Sequence, residues 1–293
     1  MGLTPGNFDY VRVSSFREAA RILSEEENSK ILAGGQSLIP LLKTRIMNVD
    51  LLIDISGIKG SGGIRQEKKS LEIGATYRVG ELEGNSLAAE SFPILHDAAS
   101  SIADPLVRNM GTVGGNLAHA DPGNDLPPVM VALNAEFTVL GPKGERVERS
   151  AAFFKGAFST SMDHSDTLTS IRINQKDGNV SSAFVKQRKS AGDFSLASVA
   201  SVVELDDSGN FKDSRTVLGS VFPAPVILEG VGAYLKGKKA NSETIKKAAS
   251  LVRTQINPES DFFASADYRR HVSSLLVNNA LTTAVRRSGV NIA

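Results

Sequence analysis

The sequence predicts an α+β fold, in which a module of two subdomains is followed by a C-terminal α+β domain, a sheet with helices. The chain has 293 residues, a length that corresponds to about two domains. Strand and helix patterns are mixed along the first half, whereas short strand patterns and then two helix patterns follow in the second half. Helices that follow a run of strands are typical of α+β domains, because they pack together on one face of the sheet.

Changes in composition mark the predicted domain boundaries. A cluster of four glycines separates a first subdomain, about residues 1–57, from a second at 58–176. The polar stretch 174–178 then separates this module, residues 1–176, from the C-terminal domain at 177–293. Glycine and clustered polar residues are typical of connecting segments, because they favour turns over helices and strands.

Two helix signals and several strands are predicted in the module. Ser15 and Glu18 have the spacing of a capping box, so the apolar residues after them predict a helix over 15–25. Pro40 is placed to begin a second, short helix. Strands are predicted at 31–32, 51–55 and 71–75, further helices at 93–102 and 129–133, and a hairpin at 136–140 and 145–149.

Between these elements, residues 105–128 contain four glycines and four prolines. Both residue types interrupt regular structure, so the segment is predicted to be a long irregular loop. Loops of this length within a compact domain are commonly functional.

The C-terminal half is predicted to be a sheet followed by two helices. Strand patterns occur at 168–173, 183–187, 195–205 and 215–218. One helix has its apolar face at Ile245, Ala248, Ala249, Val252 and Ile256, and the other at Tyr268, Val272, Leu275 and Leu276. Helical spacing of apolar residues indicates that each helix packs one face on the sheet.

Composition excludes several classes of protein. The 33 basic and 32 acidic residues leave a net charge of +1, so no broad basic surface is expected to bind nucleic acid or an anionic membrane. The absence of cysteine excludes disulfides, cysteine-bound zinc and an iron–sulfur cluster held by this chain. No secretory signal and no apolar run of about 18 residues are found, so a cytoplasmic protein without a membrane span is expected.

Two glycine pairs are the candidate binding motifs, at 33–37 (AGGQS) and 112–116 (TVGGN). Glycine allows the main chain to approach a ligand closely, and consecutive N–H groups can form a concave anion site. Ser37, Thr112 and Asn116 add short polar side chains. The two loops could hold the two phosphates of one dinucleotide, although each pair could equally be an ordinary turn.

Other nucleotide, metal and hydrolase motifs are missing. No G-x-G-x-x-G follows a strand, and the P-loop spacing at 232–238 is followed by Lys239 instead of serine or threonine. The four histidines do not have metal-ligand spacing, and there is no G-x-S-x-G motif. We therefore predict no metal site and no catalytic acid, base or nucleophile.

Longer motifs around the glycine pairs resemble those of a known family. The segments AGGQSLIP at 33–40, ADP at 103–105 and VRNMGTVGGNLAHADP at 107–122 resemble the FAD-binding medium subunit of molybdenum hydroxylases, the family that includes xanthine and aerobic carbon monoxide dehydrogenases. The likeness continues through NDLP at 124–127, GAT at 74–76, Lys186, GDF at 192–194 and YRR at 268–270. It therefore covers nearly the whole chain.

The resemblance implies an FAD site whose residues lie in both halves of the chain. The glycine loops would hold the pyrophosphate, and an aromatic residue in the segment of Asp193 and Phe194 would lie over the isoalloxazine ring. Asp125 and Lys186 match polar flavin contacts, and Leu168 matches an apolar one. The implied cofactor-binding residues are Ala33, Gly34, Gly35, Gln36, Ser37, Leu38, Thr112, Gly114, Gly115, Asn116, Asp125, Leu168, Lys186, Asp193 and Phe194.

The resemblance also implies partners and a direction of electron flow. A large subunit would hold molybdopterin and oxidise the substrate, a small subunit would hold [2Fe–2S] clusters, and FAD on this chain would pass electrons to an external acceptor. The expected assembly is a dimer of heterotrimers. The substrate stays open between an aldehyde, carbon monoxide and a xanthine-type compound. Two alternatives also stay open, a self-sufficient FAD-dependent oxidoreductase and a scaffold subunit without cofactor.

Overall fold

Three short parallel strands form the first sheet of the computed structural model, which describes residues 4–292. They are β1 (Asp9–Arg12), β2 (Ser29–Leu32) and β3 (Leu51–Asp54), in the order β1-β3-β2. Arg12 and Leu32 are both in register with Asp54, so the carboxyl ends of all three strands meet at one edge. Helices α1 (Phe16–Glu25) and α2 (Leu38–Lys43) follow β1 and β2.

The sequence predicted α1 because its N-terminus is capped locally. The Ser15 hydroxyl accepts a hydrogen bond from the Glu18 N–H at 3.1 Å, which satisfies one of the unpaired donors of the first turn. Ala19, Ala20 and Leu23 form its buried face. Helix α2 begins at Leu38, so Pro40 occupies the first turn, where its missing N–H removes no helical hydrogen bond.

An antiparallel sheet of five strands forms the second layer. It contains β4 (Ile64–Glu67), β5 (Ser70–Gly74), β6 (Glu136–Gly141), β7 (Gly144–Arg149) and β10 (Thr167–Asn174), in the order β4-β5-β10-β6-β7. The hairpin predicted around residue 142 is confirmed as β6 and β7. Near it lie β8 (Phe154–Gly156), β9 (Ser159–Thr160) and α9 (Ser150–Phe153).

Helices connect β5 to β6, and they correct one prediction. The segment 105–128 is not irregular: it contains α6 (Pro105–Met110), α7 (Val113–His119) and the start of α8 (Leu126–Ala132). Asp104 caps α6 and Thr112 caps α7, and prolines occupy the first turns of α6 and α8, where they favour helix initiation. Before them lie α3 (Val79–Glu83), α4 (Ser86–Ser91) and α5 (Pro93–Ser101).

The C-terminal half contains an antiparallel sheet covered by helices, which confirms the α+β prediction. Its strands follow chain order as β11 (Asn179–Gln187), β12 (Ala197–Leu205), β13 (Phe211–Gly219) and β14 (Val226–Ile227). Helices α10 (Glu229–Leu235), α11 (Ser242–Gln255) and α12 (Ala266–Arg287) follow. Helix α10 was not predicted, and it contains most of the P-loop-like spacing, which is therefore no phosphate-binding loop. Within residues 4–292, no helix is both long and apolar enough to cross a membrane.

The largest hydrophobic core joins the two halves of the chain. It includes Ile73 and Phe137 of the five-stranded sheet together with Phe184, Ala200 and Val217 of the C-terminal sheet. Helices α5 and α8 lie between these two sheets, while α11 and α12 belong to a second core on the far side.

Charged groups add to this contact at the end of α12. The Arg287 guanidinium donates to both carboxylate oxygens of Asp97 on α5, at 2.6 and 2.8 Å. Asp97 also accepts the N–H of Phe184 in β11. One carboxylate therefore links a helix of the first half to a strand and a helix of the second.

The core predicts a large difference between two leucines on neighbouring helices. Leu95 on α5 has no exposed surface, whereas Leu106 on α6 is 78% exposed. Leu95→Ala is expected to lower the free energy of unfolding by about 2–5 kcal/mol, because it leaves a cavity. The matched control Leu106→Ala should change it by less than about 0.5 kcal/mol in the same urea titration. Equal losses for the two variants would contradict this description of the core.

Candidate functional site

A cleft of about 880 Å³ opens at the carboxyl ends of the three parallel strands. Its walls include Arg12 and Asp54 at the ends of β1 and β3, the first glycine loop after β2, and Thr76 and Thr112 from the second layer. Ligands in sheets with parallel strands commonly bind outside the carboxyl ends of the strands. The cleft has the size of a cofactor site, for which roughly 300–1,000 Å³ is typical.

The first glycine loop, residues 33–37, lies on this cleft and presents unpaired main-chain donors. Gly35 has a φ of +72°, which turns the chain from β2 into α2. Among residues 4–292, no group accepts a hydrogen bond from the main-chain N–H groups of residues 34 to 38. Ser37 and Gln36 are exposed, and the Ser37 hydroxyl does not cap α2. A row of free N–H groups of this kind fits an anion such as a phosphate.

The second glycine loop, residues 112–116, is different, and the expectation of free N–H groups there is wrong. The N–H of Val113 donates to Tyr77 O at 2.8 Å, and that of Gly114 to Ala75 O at 2.8 Å. The N–H of Gly115 donates to the Thr112 hydroxyl. These bonds anchor α7 to the end of β5, so the N–H groups of residues 113 to 115 are not free to bind an anion.

Packing within the protein also explains two of the glycines. A Cβ built at Gly34 would lie 2.8 Å from Gly111 Cα, and one built at Gly114 would lie 2.6 Å from Ala75 O. Both approaches are too close for a side chain. These glycines therefore allow segments of the chain itself to meet, and their contact with a ligand stays a prediction.

Asn116 supplies a side chain with an unmet hydrogen-bonding requirement. Its Oδ1 atom is buried and has no partner among the described residues. Its main-chain carbonyl accepts a hydrogen bond from Asn124 Nδ2 at 2.8 Å, which ties α7 to the loop before α8. A buried acceptor without a donor is costly unless a ligand supplies one. Asn116 is not among the residues that line the cleft, so its contact with a cofactor stays a prediction.

Asp125 and Lys186 form a buried ion pair between the two halves. Lys186 Nζ in β11 donates to Asp125 Oδ2 at 2.6 Å, and the Ser195 hydroxyl donates to Oδ1 at 2.8 Å. The two charged side chains are 5% and 4% exposed. Burial raises the pKa of the Asp125 carboxyl above its ordinary value, while the Lys186 ammonium and the Ser195 hydroxyl oppose the rise. The structure thus brings two predicted site residues together, and their contact with FAD stays a prediction.

The remaining predicted residues lie in two places. Phe194 is 65% exposed, and its ring packs against the main chain at Gly123, where a Cβ would be 2.9 Å away. Asp193 forms a turn, because its carboxylate accepts the N–H of Ser190 at 3.0 Å. Leu168 is buried in the core next to an irregularity in β10. Phe194 is therefore free to meet a planar ring, whereas Leu168 offers little surface.

Sequence reasoning missed several residues of the cleft. Arg12, Asp54 and Arg78 line it, but none belongs to a motif. Thr76, which ends the GAT segment, also lines it and was not among the predicted binding residues. The available signal was a charged residue inside the apolar strand predicted at 51–55, which Asp54 shows. Strand β1 was not predicted, so the position of Arg12 could not be recognised. Among residues 4–292, no group of three or more histidine or carboxylate side chains is arranged to hold a metal.

Comparisons with known proteins agree with this geometry. Residues 6–175 match the family model described as the FAD binding domain in molybdopterin dehydrogenase, and 182–284 match the CO dehydrogenase flavoprotein C-terminal domain. The glyceraldehyde dehydrogenase medium chain of Sulfolobus acidocaldarius is 37% identical over 277 residues, which cover 94% of this chain and 98% of that one. The carbon monoxide dehydrogenase medium chain of Afipia carboxidovorans is 33% identical, covering 98% and 99%.

Solved structures show the same relationship. A chain of the carbon monoxide dehydrogenase of Hydrogenophaga pseudoflava that lacks the Mo-pyranopterin moiety of the molybdenum cofactor superimposes with a TM-score of 0.93 and 34% identity. The alignment covers 97% of this chain and 99% of that one. With both family models matched and relatives above 30% identity along almost its whole length, the chain belongs to the family of FAD-binding medium subunits of molybdenum hydroxylases.

Proposed function

We propose that the cleft at the end of the parallel strands holds FAD, with its pyrophosphate on the first glycine loop. The observation that carries this placement is the row of unpaired N–H groups from residue 34 to residue 38. The second loop would contribute the Thr112 hydroxyl and the Asn116 amide. The proposed contacts in these loops are Ala33, Gly34, Gly35, Gln36, Ser37, Leu38, Thr112, Gly114, Gly115 and Asn116.

The flavin ring is proposed to extend toward the C-terminal half. Asn124 connects Asn116 to the loop that carries Asp125, and Phe194 packs on Gly123 in that loop. Asp125, Leu168, Lys186, Asp193 and Phe194 would surround the ring. This arrangement supports the inference that the chain divides near residue 176, since the five-stranded sheet ends at Asn174 and the C-terminal sheet begins at Asn179.

In this proposal the chain is the subunit of a larger complex that passes electrons to an external acceptor. Bound FAD supplies the redox chemistry, because a flavin accepts single electrons and releases pairs, while the residues of this chain bind, orient and shield it. Without cysteine, the chain has no thiolates for an iron–sulfur cluster. We propose a large molybdopterin subunit and a small [2Fe–2S] subunit as partners, assembled as a dimer of heterotrimers in the cytoplasm. The substrate, an aldehyde or carbon monoxide among the candidates, would be chosen by the large subunit.

Titration of the purified chain with FAD tests the proposal. One FAD per chain is expected, with a flavin absorption spectrum. At a free concentration of 100 times Kd, binding should stabilise the chain by about 2.7 kcal/mol, seen as a higher thermal midpoint. A well-folded chain that neither binds FAD nor changes its midpoint would overturn the proposal.

Asn116→Leu should separate stability from cofactor binding. The substitution removes the unpartnered buried oxygen, so the chain without flavin should be as stable as the natural one or up to about 2 kcal/mol more stable. Its FAD affinity should fall by about tenfold, because a hydrogen bond to the cofactor is lost. Fluorescence titration and urea unfolding measure the two quantities. The control Asn279→Leu, at an exposed site on α12, should leave FAD affinity unchanged; an unchanged affinity for Asn116→Leu would contradict its proposed role.

The ion pair of Asp125 and Lys186 can be tested with a double-mutant cycle. Lys186→Met leaves a buried carboxylate unpaired and should lower the free energy of unfolding by about 3–5 kcal/mol. The double variant Asp125→Leu with Lys186→Met should recover much of this loss and yet bind FAD more weakly. The matched control Lys247→Met breaks an exposed pair with Glu243 and should cost less than about 1 kcal/mol. A strictly additive cycle would show that the two groups do not interact.

A further inference from the structure

Arg12 is a cleft residue that no glycine motif includes. It ends β1, and its side chain is 60% exposed beside the 9% exposed carboxylate of Asp54. Its Nε atom lies 3.3 Å from Asp54 Oδ2, and its Nη2 donates to the Ser56 hydroxyl at 2.8 Å. Within residues 4–292, no group accepts a hydrogen bond from Nη1. Nε and Nη2 are therefore held in place, whereas Nη1 can still donate to a ligand.

The Asp54 carboxylate beside Arg12 also accepts two other hydrogen bonds. The Tyr10 hydroxyl donates to Asp54 Oδ2 at 2.5 Å, and the Ser56 N–H donates to Oδ1 at 2.8 Å. Burial alone would raise the pKa of Asp54, but these hydrogen bonds and the Arg12 charge lower it below its usual range. Asp54 is therefore ionised at neutral pH, and the ion pair with Arg12 persists there.

The Arg12 side chain packs against the main chain at Gly57, which has no side chain to obstruct it. A Cβ built at Gly57 would lie 3.0 Å from Arg12 Nε and 3.3 Å from its Cδ. The side chain therefore lies directly across this glycine. A Cβ at position 57 would require the Arg12 side chain to shift by a few tenths of an ångström.

Arg12 lines the same cleft as the first glycine loop, with its unpaired N–H groups. Two other cations line the cleft, but Arg78 donates to Asn109 O at 2.7 Å, and Lys43 is a flexible, exposed side chain at the end of α2. A planar guanidinium presents paired donors that match phosphate oxygens better than an ammonium does. Of the three cations, Arg12 is the one whose orientation is set by two neighbouring side chains.

We propose that Arg12, oriented by Asp54 and Ser56, binds the pyrophosphate of FAD from the side of the cleft opposite the first glycine loop. The inference rests on the proposed FAD site and adds a specificity-determining residue to it. The main-chain N–H groups and the guanidinium would share the two phosphates. Arg12 would then favour FAD over flavins without phosphate.

Binding to the full chain freed of flavin tests this role. Arg12→Gln is expected to weaken FAD about 10- to 100-fold in a fluorescence titration, the range expected for a charged hydrogen bond. ADP, used as a competitor, should weaken by a similar factor, whereas riboflavin, which has no phosphate, should keep its affinity. The affinity for FAD should also depend less on salt, because one ionic contact is lost.

Two glycine variants and one arginine variant provide controls. Gly57→Ala keeps every charge and requires only a small shift of the Arg12 side chain, so it should weaken FAD by less than Arg12→Gln does. Gly63→Ala introduces a Cβ into open space, and Arg17→Gln removes an exposed charge on α1 that does not line the cleft; both should bind FAD as the natural chain does. Far-ultraviolet circular dichroism confirms that each variant is folded.

The outcomes distinguish the inference from the proposed site. If the natural chain fails to bind FAD, the proposed function itself fails. If the natural chain binds FAD and Arg12→Gln binds it equally well, only the role of Arg12 is overturned. Equal weakening of riboflavin and FAD would likewise overturn it, since the effect would then not lie at the phosphates.

Discussion

The shape of the site depends on a close contact between the first glycine loop and residues 110–111. The two main-chain segments leave no room for a side chain between them. Gly34 lies so close to residues 110 and 111 that a Cβ at that position would collide with their backbone. Gly114 makes a similar approach to Ala75 at the end of β5. Through these contacts the parallel sheet and the five-stranded sheet meet at the strand ends, and the cleft is what remains between them.

The two glycine loops have different roles in that cleft. The second loop uses the N–H groups of residues 113 to 115 to hold α7 against the end of β5, so it supports the cleft and does not offer these donors to an anion. The first loop leaves its N–H groups unpaired, which fits an anion. The unpartnered Asn116 oxygen and the buried pair of Asp125 and Lys186 lie along the connection from this support to the C-terminal sheet. The proposed flavin would thus span the contact between the two halves of the chain, where both can fix its orientation.

Local signals account for most of the elements that were predicted correctly. The capping serine of α1 and the turn at 141–144 between β6 and β7 act over a few residues, so they are visible in the sequence. The irregular loop predicted for 105–128 is wrong for a related reason. Its prolines and glycines were taken to interrupt regular structure, but Asp104 and Thr112 turn them into capped helix starts. Proline and glycine occur both in irregular loops and at the ends of helices. Only the neighbouring capping residues distinguish the two cases.

The sequence by itself determined the fold class, the family and the two glycine loops, because these depend on periodicity and on motifs of adjacent residues. It did not reveal which loop keeps free N–H groups, since that depends on whether a carbonyl such as Ala75 O lies within reach. Nor did it reveal Arg12, Asp54 and Ser56 as one cluster, because β1 and β3 are separated by about forty residues and become neighbours only in the parallel sheet. Hydrogen bonds and ion pairs act over a few ångströms, so their partners are chosen by the tertiary structure and not by the order of residues along the chain.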